Sequence, residues 1–182
     1  MNKRATAFVL PLVVVLATAA VAAANTITTT ATVTGAGSVS LATAATASFS
    51  DTLDGTDQTV TYQLPLTVID ARGTGGGWNL TVTSTQFTTG THTLATGASS
   101  LTTLASACNA GSTCTNPTNA ITLPIAVPAA VTAPTAVKFF NSAATTGMGA
   151  FTVTPTISVT IPGNAYAGSY ASTVTVAVAA GP

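Results

Sequence analysis

The residues with the greatest capacity for chemistry cluster in one stretch, Val68 to Val82. Asp70 and Arg72 stand two positions apart, so on a continuing strand they share a face and can form an ion pair or brace a loop. Four glycines, Gly73, Gly75, Gly76 and Gly77, follow with Thr74 among them, and then comes the only tryptophan, Trp78. Glycines at this density allow positive φ and close backbone approach, as a tight strand connection requires. As a binding site, the stretch would offer Trp78, Asn79, Leu80, Asp70 and Arg72 to a ligand, with the indole stacked on a sugar face. As a structural unit, it would bury Trp78 between sheets, and the in-register neighbours Leu80 and Val82 favour that second reading.

The other reactive side chains are few. Cys108 and Cys114 flank a short polar segment, and in an exported chain such a pair reads as a disulfide closing a surface loop. Zinc would need further ligands, and the single histidine, His92, cannot complete a four-ligand site. Asp51, Asp54 and Asp57 surround Gly55, but their spacing departs from a calcium loop and reads as a polar turn. There is no Gly-x-Ser-x-Gly elbow, and no glutamate to act as a glycosidase acid. The expectation is a chain with no catalytic residues, no metal and no cofactor.

These residues need strands to position them, and the sequence supplies strands almost throughout. Thr26–Thr34, a short segment at Val39 and Leu41, Ala47–Ser50, Thr59–Ile69 and Trp78–Val82 have β-rich or alternating patterns. Pro65 marks an edge or bulge. Residues 84–120 are rich in Thr, Ser, Gly and Ala and read as long loop, with short strands or turns near His92–Leu94 and Leu101–Leu104. Ile121–Pro128 resumes strand character, and Phe139 and Phe140 supply core. Phe151, Val153, Ile157, Val159 and Ile161 alternate along one strand; Tyr170, Val174, Val176 and Val178 alternate along the last. The Gly163–Gly168 turn between them suggests a C-terminal hairpin. After the N-terminal segment nothing keeps a helical period. The fold expected is all-β, a β-sandwich of Ig-like or jelly-roll type with about eight to nine antiparallel strands.

Asn2-Lys3-Arg4, an apolar run from Ala5 to Val21 and Ala22-Ala23-Ala24 make residues 1–24 a signal peptide cut before Asn25, the alternative being a retained anchor. No cysteine at the cut marks a lipoprotein, and no apolar span or sorting motif closes the sequence. Residues 25–182 are then one secreted domain, with no membrane contact after cleavage. Only 4% of residues are charged, against about a quarter in an ordinary soluble domain. Arg72 and Lys138 face four aspartates in the mature chain, so no steering field for nucleic acid or anionic lipid exists.

Asp70, Arg72-Gly73, Gly75-Gly76 and Gly77-Trp78-Asn79-Leu80 follow one another as in the WxL family of bacterial cell-surface domains, which the chain resembles over most of residues 30–182. Tyr166 to Val178 resembles that family's closing strand, with Val176-Ala177-Val178 standing where a second Trp-x-Leu is usual. The resemblance implies a secreted domain associating non-covalently with peptidoglycan, placed extracellularly or in the cell wall, with wall glycan or other surface proteins as partners. A second reading comes from the uncharged Thr-rich strands and the extended Asn25–Thr34. It is a structural subunit of an extracellular filament or surface layer, self-associating by strand addition.

Overall fold

A computed structural model describes residues 31–35, 38–43, 47, 49 and 51–182. The expected signal peptide and the first part of the Thr26–Thr34 strand lie outside the described residues. Ten strands occur among them and no helix: β1 (Val39–Thr43), β2 (Gln58–Gln63), β3 (Leu66–Asp70), β4 (Trp78–Thr85), β5 (Ser99–Cys108), β6 (Ile125–Ala126), β7 (Ala129–Ala130), β8 (Val137–Ser142), β9 (Gly149–Ile161) and β10 (Val174–Ala180). They form an all-β sandwich of two largely antiparallel sheets.

The central strand of the first sheet is β9, because its thirteen residues alternate most strictly. Phe151, Val153, Ile157 and Val159 are buried, while Thr and Ser point the other way. One edge of β9 pairs with β3 and then β2, and the other pairs with β5. Pro155 sits mid-strand without an N–H to donate, and both neighbours are irregular there. The break between β2 and β3 falls at Leu64-Pro65, where Leu64 N donates to Pro155 O at 3.1 Å. On the other side β5 bulges between Leu101 and Thr103, and Thr102 Oγ1 donates to Thr156 O.

The second sheet is built on β4, with β10 on one side and β8 and the two-residue β7 on the other. Adjacent residues of a regular strand face opposite ways, yet Phe139 and Phe140 are both buried. A bulge explains it: Leu80 pairs with Phe140 and Thr81 with Lys138, leaving Phe139 as the extra residue. Phe139, Phe140, Trp78, Leu80, Phe151 and Leu66 form the main core, and Leu94, Ile157 and Val159 a smaller one that Phe49, Tyr62 and Tyr170 pack against.

Six readings are corrected. The long loop expected over residues 84–120 contains β5, ten residues paired along β9. Its apolar positions are too sparse to announce it; backbone pairing with a well-formed neighbour holds it in place. The C-terminal hairpin does not form, since β10 pairs with β4 in the other sheet. Alternation fixes which face of a strand is buried but not which strand lies beside it. Ala31–Thr34 and the described residues of Ala47–Ser50 are in no strand, and Ile121–Pro128 contributes only Ile125–Ala126 to the first sheet. Ile161 is only half-buried at the end of β9, where the sandwich opens.

The inward register of β10 holds nevertheless. Val174, Val176 and Val178 pack against the main core, opposite Ser84, Val82 and Leu80. Val176→Asp should cost on the order of 2 kcal/mol or more, whereas Ala177→Asp on the exposed face should stay within about 0.5. Equal denaturation midpoints for the two variants would contradict this register.

Candidate functional site

Asp70 closes β3 opposite Gly149, and Trp78 opens β4. The seven residues between them turn the chain from the first sheet to the second. Gly73, Gly75 and Gly77 have φ of 70°, 64° and 67°, which L side chains rarely adopt. At Gly77 a Cβ would also collide with the Ser142 carbonyl.

Arg72 fastens this turn. Its Nε donates to Asp70 Oδ1 at 2.8 Å and one terminal nitrogen to Oδ2 at 2.7 Å, the two-pronged geometry of guanidinium on carboxylate. The same nitrogen donates to Gly77 O at 2.5 Å, and Arg72 N to Asp70 Oδ1 at 3.2 Å. The Asp70 side chain is fully buried and that of Arg72 is 11% exposed. Hydrogen bonds from Arg72 hold the Asp70 carboxyl below the usual carboxylate range, although burial pushes the other way. Gly77 O also accepts from Gly181 N at 3.1 Å, and Asn79 Nδ2 donates to Gly181 O at 2.8 Å. The same turn thus ties down the end of β10.

Trp78 enters the core directly from this turn and has no exposed surface. Its ring stacks on Phe140, with centroids 5.0 Å apart and planes 14° apart, and leans on Phe151 at 6.4 Å. Its Nε1 donates to Gly147 O at 2.8 Å, so the indole's one polar atom is satisfied inside the protein. Gly147 has φ of 70°, and a Cβ there would collide with Ser142 Oγ and lie 2.6 Å from Trp78 Nε1. The sequence reading missed Gly147 and Ser142, because nothing distinguishes them from the many other small residues around them.

The structure therefore brings Asp70, Arg72, Trp78, Asn79 and Leu80 together, but as a brace and a core anchor. Trp78 and Leu80 are wholly enclosed, and Asp70 and Asn79 nearly so. Of these five, considered as ligand contacts from the sequence, Asp70, Trp78, Asn79 and Leu80 present no open side-chain face, and only the rim of the Arg72 guanidinium reaches solvent.

Cys108, the last residue of β5, is disulfide-bonded to Cys114, with Cα atoms 6.0 Å apart. The loop packs on the start of β9, where Gly149 lies against Cys114. Closing so short a loop is worth roughly 2 kcal/mol. Reduction should therefore lower the denaturation midpoint clearly, by about that free energy, and the unreduced exported chain should show no alkylatable thiol. Two free thiols there would contradict the pairing.

His92 is half-buried, and its ring stacks on Tyr166 at 3.7 Å. Asp54 accepts from Thr56 N and Oγ1, and Asp51 from Thr52 N, as polar-turn aspartates do. Among the described residues no three of His, Cys, Asp and Glu gather as a metal site requires, and no helix is long and apolar enough to cross a membrane.

Residues 23–182 match a family model described as WxL domain surface cell wall-binding. No curated protein and no solved structure matches the chain.

Proposed function

The chain belongs to the WxL family of cell-wall-binding surface domains, and from that membership we propose that it is an exported, non-catalytic module that holds to peptidoglycan by non-covalent contact. The family match over residues 23–182 carries this reading. The geometry supports it in a specific way: the family's signature residues build a rigid sandwich end, leaving the surface free for binding. Residues 1–24 would direct export and be removed at Ala24. A surface nearly free of charge suits contact with glycan hydroxyls better than ionic docking.

The test is co-sedimentation of the mature chain, residues 25–182, with purified cell walls. Depletion of the chain from the supernatant with increasing wall, at constant ionic strength, is the expected outcome. A chain that stays in solution at every wall concentration would overturn the reading. Elution as a fibre or ladder in size-exclusion chromatography would favour the filament subunit instead.

A further inference from the structure

An open groove of about 650 Å³ lies between the Asp51–Leu53 turn and the Ala165–Tyr170 connection. It sits at the far end of β4 from Trp78: Thr88 bridges Ala171, and Thr85 N donates to Thr173 O. Its volume is that of a small-ligand site. Phe49 and Tyr170 line it while packing on the smaller core, so its floor is fixed from beneath. Tyr166 lines it too and is 64% exposed.

His92 covers one face of the Tyr166 ring, with planes 12° apart, and Tyr170 Oη donates to the Tyr166 main-chain carbonyl at 3.0 Å, which ties the backbone that carries the ring. A ring with one face covered and most of its surface exposed presents its other face to solvent. Among the described residues Asp51 is the one charged side chain lining the groove; one of its oxygens accepts from Thr52 N. The lining thus combines, among the described residues, a flat aromatic platform, a carboxylate and hydroxyls, with no cation.

A pyranose ring has the matching chemistry, an apolar C–H face and a rim of hydroxyl donors. An anionic wall polymer does not match, because it would meet Asp51 without a compensating lysine or arginine. We propose that this groove is the domain's wall contact, binding a short stretch of neutral glycan with one sugar ring stacked on Tyr166. The proposal rests on the wall-binding reading and gives it a location.

The test uses residues 25–182 as wild type, Tyr166→Ala and Tyr166→Phe, with peptidoglycan stripped of anionic polymers as the probe. Losing an exposed ring leaves the folds equally stable, checked by thermal melts. Tyr166→Ala should bind on the order of tenfold more weakly, and Tyr166→Phe should stay within about twofold of wild type. Chemical-shift mapping with a soluble N-acetylglucosamine tetramer should move the amides of residues 51–53 and 165–170 in the wild type. Wild-type binding undiminished in Tyr166→Ala would place the wall contact elsewhere, overturning the groove while the wall-binding reading stands. Binding only to walls that keep their anionic polymers would overturn the neutral-glycan assignment. A wild type that binds neither stripped nor intact walls, and shows no shifts with the tetramer, would overturn both readings.

Discussion

Trp78→Ala is expected to lose about 3–5 kcal/mol of stability, out of the roughly 5–15 available to a domain of this kind. The side chain is wholly buried, stacked on Phe140 and bonded through Nε1 to Gly147 O. Truncation removes that contact area, leaves a cavity at the centre of the main core and strands a buried carbonyl. Trp78→Phe should fall between the two, keeping a ring against Phe140 while losing the hydrogen bond, at about 1–3 kcal/mol for the stranded acceptor. Urea denaturation followed by far-ultraviolet circular dichroism reads both. A Trp78→Ala variant as stable as wild type would mean that the indole does not occupy the core. The consequence for function studies is direct: wall binding lost in Trp78→Ala is confounded by this destabilisation, so it cannot by itself identify a ligand contact.

Asp70→Asn and Arg72→Gln should each cost roughly 3–5 kcal/mol, because each leaves a buried partner uncompensated. The double variant should be less damaged than the two added together, since both singles break one shared interaction. Exposed pairs behave differently and are worth under about 1 kcal/mol, so small single effects would contradict the buried geometry. The sign of the pH dependence follows from the depressed Asp70 carboxyl. Its stabilisation is complete above the unfolded carboxylate value near 4 and is lost as pH falls through the lower folded value. Melting temperatures of wild type and Asp70→Asn should therefore converge on acidification below about pH 4 and differ most near neutrality. A gap that stays constant into acid would show that the pair is not what Asp70→Asn disrupts.

The parts of this architecture legible in the sequence are those carried by strong alternation or a distinctive composition. Phe151 to Val159 alternate without interruption, so β9 and its buried face could be read directly. The Asp70–Trp78 stretch was legible because charged residues are so scarce that a carboxylate and a guanidinium beside one glycine turn invite pairing. The ladder partner of β10 was not, because Val174, Val176 and Val178 fit equally well beside β9 or β4. Nor was β5, whose Thr, Ser and Ala residues carry little periodic signal and whose register comes from β9. The groove was hidden for a related reason. The Phe49–Leu53 segment and the Ala165–Tyr170 connection that line it lie more than a hundred residues apart in the chain, and His92, which backs Tyr166, belongs to a third segment.

The central claim, that the Trp-x-Leu motif anchors the core while the wall is met elsewhere, can be tested on Trp78 itself, the chain's only tryptophan. Its fluorescence should be blue-shifted and resistant to acrylamide in the free domain. Both properties should stay unchanged when saturating stripped peptidoglycan is added. Solvent-like emission and quenching in the free domain, with protection appearing on addition of peptidoglycan, would show Trp78 to be a ligand contact and contradict the account.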